Sequence, residues 1–539
     1  MRDGTARTPF TSPARYPWSV SSLELLRRAL PLALLAASLL ACGDDSEPDS
    51  GAADAAAPDA SAPDAGVDGG AGEERWVHPP CDAPAGPLAP FSTRCQHFVD
   101  DAGRVAILRG VNARVEGVFD VTFDDGRAPL EPIPAFTAAD ATRMRELGFD
   151  LLRLPINWSA VEPEDTEPPT YDDAYLARVQ EVVDLCRAAG VYVILDFHQD
   201  AYSKHIGEDG APLWAIEPPP EMLLEGPLDD LEERRTSGQV LAAFETFFGD
   251  AEPGPTLRAR FAAMAAHVAE AFAGDEAVFG YETFNEPIGD FDQVARLNVL
   301  VAEAMREADP AHPILFEPPV LQRNLTDRSG LPEAPFPVSG GVYAPHIYTL
   351  AFFGSDAQRE SFTRASLRRG HLSAAQEALA WGTPLLVGEW GWDPDGIRAD
   401  DYYRLQQDLH DEFGASTALW LWKERSQGRW GLFEYDDASE TWSERPEMIA
   451  RVTRPRPERI AGWPETWRWD DEAGELSLRY AGDAAVTAPT VLYLPELPEG
   501  RWSVRCDGAP VEVSREPATG RVEVPCGGPG SHEVLAARE

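Results

Sequence analysis

From Arg104 to Lys423 the chain alternates short apolar runs with amphipathic segments. The runs are 105–111, 150–155, 191–197, 278–284, 313–317, 342–348, 384–390 and 417–422. They are continuous rather than alternating, the pattern of strands covered on both faces by helices. Between them lie helical segments such as 137–147, 172–189, 257–273, 291–307, 372–381 and 400–413. This alternation, repeated eight times, predicts an α/β fold, a (β/α)8 TIM barrel, whose chemistry gathers where the strands end. Past Pro455 the period changes to two. The segments 475–480, 490–494, 502–506, 511–514 and 521–524 are separated by turn residues. They predict a small C-terminal antiparallel β-sandwich. No cluster of exposed aromatics stands out in it, which favours a stabilising appendage over a carbohydrate-binding module.

Ahead of the barrel the pattern differs. Arg27 and Arg28 precede an apolar stretch, 29–41, that is too short to span a bilayer. A basic start followed by a short apolar core reads as an export signal. It closes in Leu39-Leu40-Ala41-Cys42, which resembles a bacterial lipobox and implies that Cys42 carries lipid. A plain secretory signal is the other reading. Residues 43–73 are Ala, Asp, Pro, Gly and Ser almost without large apolar side chains. Such a segment cannot bury enough area to offset chain entropy and reads as a disordered acidic tether. The expected organisation is signal 1–42, tether 43–73, catalytic barrel 74–454 and sandwich 455–539. The expected location is lipid-anchored at the bacterial outer membrane, or secreted, and the expected state is a monomer.

The chain has 46 basic and 91 acidic residues, a formal charge of −45. That excludes nucleic acid as a partner, which requires a basic face, and offers no polybasic patch to anionic lipid. An exported chain meets an oxidising compartment, so the neighbours Cys81 and Cys95, and likewise Cys506 and Cys526, are expected to form disulfides. Cys186, on the apolar face of a helical segment, is expected to be a buried free thiol. No Cys/His spacing suggests a metal, and Asp196-x-His198 lacks a third ligand. No glycine-rich phosphate loop is present. The reading therefore includes no metal and no cofactor.

Polar and aromatic residues gather at the strand ends. They are Arg153, then Asp196, His198 and Asp200, then Asn285 and Glu286, then His346 and Tyr348, then Glu389, then Trp422 and Lys423. Each alone is ordinary; together, at one end of one barrel, they predict a site. Glu286 follows the fourth run, Glu389 lies in the seventh, and the two point into the same mouth from opposite sides. Glycoside hydrolysis needs such a pair, one carboxylic acid to protonate the leaving oxygen and one carboxylate to attack the anomeric carbon. A separation of ~5 Å gives retention through a covalent glycosyl-enzyme. Like charges that close also keep one carboxyl protonated near neutral pH.

Asn285-Glu286-Pro287, His346-x-Tyr348 and Glu389, in this order, resemble the retaining glycoside hydrolase family 5 of clan A. The resemblance implies that Glu286 is the acid/base and Glu389 the nucleophile. It implies that Asn285 bonds the sugar 2-hydroxyl and that Arg153 and Tyr348 hold the nucleophile ionised and oriented. It places His346 near the acid/base and Trp422 under the sugar as a stacking floor, with Lys423 beside it.

A narrower likeness is carried by Asp196–Ser203, by Gly210–Ala215, and by the tail from Arg454-Pro455-Arg456-Pro457 to Trp467-Arg468-Trp469-Asp470. These are similar to the endoglycoceramidase subgroup over about residues 100–539. That likeness implies cleavage between oligosaccharide and ceramide in glycosphingolipids, with Asp196, His198 and Asp200 at the first sugar. The subgroup's lysine after strand one is absent: residues 111–130 hold only Arg114 and Arg127 as bases. The stretch 112–120 looks more like the endogalactosylceramidase branch. The alternative within the family is a β-glucosidase or endoglucanase acting on non-lipid β-glycosides. A lipid substrate asks for an apolar groove. Its candidates are Leu213, Trp214, Ile216, Leu223, Leu224, Phe244, Phe247, Phe248, Leu350, Phe352 and Phe353, unless these long loops pack on themselves. Segment 213–254 is long enough to be a functional lid.

Overall fold

The computed structural model describes residues 75–539 apart from 82, 321–322, 324–326, 328–335, 353, 426–429 and 498. The stretches read as export signal and tether, together with Cys42 and Phe353, lie outside the described residues. Eight parallel strands form the barrel: β1 (Arg109–Asn112), β2 (Leu151–Ile156), β3 (Tyr192–Phe197), β4 (Val278–Glu282), β5 (Ile314–Phe316), β6 (Gly341–Tyr343), β7 (Leu386–Trp390) and β8 (Ser416–Leu419). The hydrogen-bonded order runs from β7 through β8 to β1 and on to β6. A parallel bridge between Tyr343 and Leu385 brings β6 back toward β7. The sequence pattern had placed a strand within each of the eight runs. Long helices lie between strands; those over Asp173–Ala189 and Ala399–Phe413 stop at Gly190 and Gly414, whose φ of 73° and 63° glycine adopts without strain.

One run divides between two partners. Val105–Ala106 pairs antiparallel with His97–Val99 and with Arg456–Ile460, outside the barrel. Only from Arg109 does the chain enter the barrel sheet. Val105 and Ile107 face the sandwich core, whereas Ala106 and Leu108 face the barrel interior. Both sides of this segment are apolar, so hydrophobicity alone did not mark the change of sheet.

The sandwich consequently uses both ends of the described chain. Its larger sheet orders Ser92–Arg94, His97–Val99, Val105–Ala106, Arg456–Ile460, Thr490–Tyr493, Arg521–Val524 and Ser514–Arg515. The facing sheet holds Gly462–Asp470, Glu475–Gly482, Gly530–Arg538, Trp502–Cys506 and Ala509–Pro510. Trp467, Leu478, Tyr480, Leu492, Val522 and Val534 fill the space between them. Cys81 is bonded to Cys95 and Cys506 to Cys526, while Cys186 is buried and free.

The amino-terminal end of the barrel is closed. Phe91 and Phe98 pack there against Leu151, Ile194, Phe279, Leu315, Val342 and Leu386. A strap from Arg75 onward is fastened to the same end. Trp76 donates its backbone N–H to Glu412 at 3.1 Å and packs on Phe413, at the end of the helix that leads into β8. His78 stacks on Trp467 of the sandwich. Among the described residues, no helix is long and apolar enough to cross a membrane.

Candidate active site

Arg153, on β2, is the hub of the open end of the barrel. Its side chain has no solvent exposure. Nε donates to Glu282 at 2.6 Å, and Nη1 donates to Asn112 at 3.0 Å and to Glu389 at 2.7 Å. Nη2 donates to Asn285 at 2.8 Å and lies 3.0 Å from Asp196 and 3.4 Å from Glu317. One guanidinium cannot neutralise four carboxylates, so protons share the task. Burial pushes Glu317 well up, with the charge of Glu282 adding to it. Burial also raises Glu282. Asp196 is different: burial works to raise it, but Arg153 and His198 outweigh burial and hold it below the usual carboxylate range.

Glu389, on β7, receives two donors: Arg153 on one oxygen and the Tyr348 hydroxyl on the other, at 2.9 Å. Glu286 follows β4 and sits at a φ of 41°, a backbone conformation unusual for glutamate. The surroundings enforce it. Asn285 donates its N–H to the Phe197 carbonyl at 3.0 Å, and the Gln199 amide holds the Asn285 and Glu286 carbonyls at 2.7 and 3.1 Å. Such strain persists only where the frame over-determines it. The carboxylate of Glu286 meets Nδ1 of His346 at 2.8 Å.

One oxygen of each glutamate and a nitrogen of His346 all lie within 4.8 Å of one another. That spacing belongs to the retaining geometry, in which the second carboxylate attacks directly. Burial raises both carboxyls, Glu389 to about 8, with the charge of Glu286 adding to the effect there. The pair therefore holds one proton near neutrality. Two donors converge on Glu389, one of them cationic. The hydrogen bonds thus assign the negative charge to Glu389 and the proton to Glu286. His346 is pushed well down by burial and by Arg153, so it stays neutral between the two. A metal fits this cluster poorly, because Glu389 is already engaged by a guanidinium and a phenol.

The other expected residues divide into two groups. His198 is in the site: Nδ1 meets Asp196 at 2.6 Å and the ring stacks on Trp420 at 5.9 Å and 11°. Burial opposes its charge, but Asp196 and Asp209 outweigh burial and raise it to about 9. Asn285 is in the site and keeps one amide hydrogen beyond the bond to the Gln199 carbonyl at 3.1 Å. Asp200 is engaged elsewhere, by Arg235.

Trp422 and Lys423 depart from expectation. Trp422 is 1% exposed, packs edge-on against Phe433 and donates its indole N–H to Asp140 at 3.0 Å. It offers no face to a sugar. Lys423 is bound to the same Asp140, at the start of the helix Ala138–Glu146. The half-exposed indole is Trp420, two residues earlier, with His198 on its face and Arg114 at 5.8 Å. β8 ends at Leu419, so its exit falls earlier than the apolar run implied.

Sequence reasoning also passed over Asn112, Glu282 and Glu317, and gave Gln199, within the strand-end stretch 196–200, no role of its own. Asn112 and Glu317 stand at strand ends and meet the criterion that found the others. Glu282 was hidden inside an apolar run. Arg114 is not free to meet substrate: Glu131 at 2.5 Å, Glu208 at 2.7 Å and Glu424 at 3.0 Å surround it. Of the groove candidates, Phe244, Phe247, Phe248 and Ile216 are buried core. Leu213, Leu223 and Phe352 are exposed, as is Met222. Phe352 stacks on Trp430 and touches Tyr348 edge-on, which puts an apolar wall beside the partner of Glu389.

Residues 132–426 match the family model described as Cellulase (glycosyl hydrolase family 5). The chain belongs to glycosyl hydrolase family 5. Residues 454–535 match the family 5 C-terminal domain, so the sandwich is a family feature too. Endoglycoceramidase I of Rhodococcus hoagii (strain 103S) is 27% identical over 496 residues, covering 84% of this chain and 89% of its own length. Endo-glycoceramidase II from Rhodococcus sp., solved as a ganglioside GM3 complex, is 26% identical with a TM-score of 0.68. That match covers 82% of this chain and 99% of that one. An endogalactoceramidase crystal structure is 25% identical with a TM-score of 0.64, over 83% of this chain and 99% of that one. In this family 5 enzyme the two glutamates, one after β4 and one on β7, stand at the spacing that retaining chemistry requires.

Proposed function

We propose that the protein is a retaining endo-β-glycosidase that releases the intact oligosaccharide from ceramide in glycosphingolipids. The observation that carries this is the glutamate pair, set in a chain similar along most of its length to enzymes named endoglycoceramidases. Glu389 attacks the anomeric carbon while Glu286 protonates the oxygen that leaves with ceramide. Water then enters, Glu286 takes back a proton, and the sugar departs from Glu389. The likeness to an endogalactoceramidase and the absence of lysine from residues 111–130 favour galactosyl–ceramide linkages among the substrates. The apolar wall of Phe352 and Trp430 suits the lipid side of the bond. The same reading includes export, a lipid anchor at Cys42 at the outer membrane and action as a monomer; these rest on the lipobox-like sequence and the acidic tether.

The test is a panel of glycosphingolipids in mild detergent, incubated with the full chain and read by mass spectrometry. Intact oligosaccharide with free ceramide is the expected result, and the released species names the first sugar. Glu286→Gln and Glu389→Gln should each lower turnover at least about a thousandfold without unfolding the chain. Activity on soluble β-glucans with none on lipids would replace this reading by an endoglucanase or β-glucosidase.

A further inference from the structure

Glu317 stands behind His346, on the side away from Glu286. It directly follows β5, and its backbone is held: Asn298 donates Nδ2 to its carbonyl at 2.8 Å and accepts from the Thr283 hydroxyl at 2.7 Å. Its buried carboxyl lies 3.4 Å from Nε2 of His346 and 3.4 Å from Nη2 of Arg153. The opposite nitrogen of the imidazole, Nδ1, meets Glu286 at 2.8 Å and lies 3.5 Å from Glu389. Gly388 on β7 makes room for this ring, since a Cβ there would lie 3.0 Å from Nε2. Nε2 is buried, and a hydrogen placed on it makes no hydrogen bond among the described residues.

The carboxyl groups around Arg153 decide where a proton sits. Glu282, Glu389, Asp196 and Glu317 lie 2.6, 2.7, 3.0 and 3.4 Å from the guanidinium. Glu317 is the most distant of the four, and it crowds Glu282: one oxygen of each and a nitrogen of His346 fall within 4.8 Å of one another. Two buried carboxyls so placed do not both ionise, and the one farther from the cation keeps the proton. Burial and the charge of Glu282 push Glu317 well up, Arg153 opposes them, and Glu286 and Asp196 add to the rise. A carboxylic acid that faces a bare imidazole nitrogen donates to it, and the ring then carries its hydrogen on the other nitrogen.

We propose that Glu317 is a positioning residue of the reaction: as a carboxylic acid it donates to Nε2 of His346, so that Nδ1–H engages one oxygen of Glu286 and leaves the other oxygen to carry the transferable proton. The proposal rests on the glycosidase reading of Glu286. In the first half-reaction that proton passes to the glycosidic oxygen as the C–O bond breaks and Glu389 bonds to carbon. In the second, water gives a proton to the same oxygen of Glu286 as the water oxygen displaces Glu389. His346 donates to Glu286 throughout and moves no proton of its own. The reverse tautomer would draw the proton of Glu286 onto the oxygen facing Nδ1, away from the leaving group, and would repel the carboxylate formed next.

The experiment reads the tautomer and the chemistry separately. Imidazole nitrogen NMR shifts of the histidine-labelled full chain distinguish the two ring nitrogens near neutral pH, with His346 assigned by its absence from His346→Gln. Nδ1 protonated and Nε2 bare is the expected state in the wild type and in Glu317→Gln, whose amide keeps a donor; Nε2 protonated in the wild type overturns the proposal. kcat/KM, which reports the first half-reaction, is measured on an alkyl β-glycoside, which needs the acid, and on an activated aryl β-glycoside, which does not. Glu317→Leu should lose at least about tenfold on the alkyl glycoside and stay close to wild type on the aryl one, and Glu317→Gln should recover most of that loss. No loss in Glu317→Leu, or equal loss on both substrates, overturns the role of Glu317 and leaves the glycosidase reading standing. A wild-type chain that cleaves neither glycoside nor glycosphingolipid overturns that reading, whichever tautomer His346 adopts.

Discussion

Arg153 donates to Glu389 across 2.7 Å from a position closed to solvent, and the same guanidinium also serves three further carboxylates and two asparagines. Its loss therefore has two consequences. Glu389 loses the cation that keeps it ionised, and the remaining carboxylates stay buried without their counter-charge. Arg153→Met should lower kcat/KM at least about a thousandfold and destabilise the chain by about 3–5 kcal/mol. Arg153→Lys should restore little, because a point charge cannot replace a fork engaged at all three nitrogens. Activity assays paired with denaturant unfolding check both effects.

The two tryptophans at the end of β8 should behave in opposite ways. Trp420 is half-exposed beside His198, so Trp420→Ala should leave the fold intact and cost roughly ten- to a hundredfold in kcat/KM, the equivalent of one buried apolar face. Trp422 is buried and hydrogen-bonded, so Trp422→Ala should destabilise by about 3–5 kcal/mol through the cavity it leaves. The reverse outcome would move the stacking floor back to Trp422.

Four buried histidines predict acid lability. Burial lowers His78 and His371 to about 4, and His97 and His410 well below their usual value. In the unfolded chain each titrates near ~6.5. The unfolded state thus binds protons first, so the stability these groups protect is complete above ~6.5 and falls as pH drops towards 4. Neither nitrogen of His410 has a hydrogen-bond partner among the described residues. His410→Phe should keep the packing and flatten part of the slope of unfolding free energy against pH between 6.5 and 4. An unchanged slope would assign the acid sensitivity to other groups.

Much of this was legible in the sequence because two periods carry it. Continuous apolar runs located all eight barrel strands, and strand-end polarity found both glutamates, Arg153, His198, Asn285, His346 and Tyr348. What stayed hidden depended on where a strand stops or changes partner. Ile107 and Leu108 are both apolar, yet they face different cores. Trp420 and Trp422 flank a single leucine, and only the end of β8 decides which indole is uncovered. Asp200 reads as a free strand-end carboxylate until Arg235, thirty-five residues on, is brought back to it. The phenylalanines of 244–248 have the composition of a lipid groove, but they lie on the inner face of a helix, where Phe247 and Phe248 pack on Phe284 and Phe244 on Tyr202.

The strap at Trp76 and His78 fixes a direction as well as a contact. It is fastened beside Gly414, where the chain turns to begin β8, at the end of the barrel plugged by Phe91 and Phe98. The glutamates open at the other end. The strap therefore holds the chain at the pole remote from Glu286 and Glu389. Substrate meets Glu286 and Glu389 at the opposite pole, so changes to this strap are separated from the site by the length of the barrel.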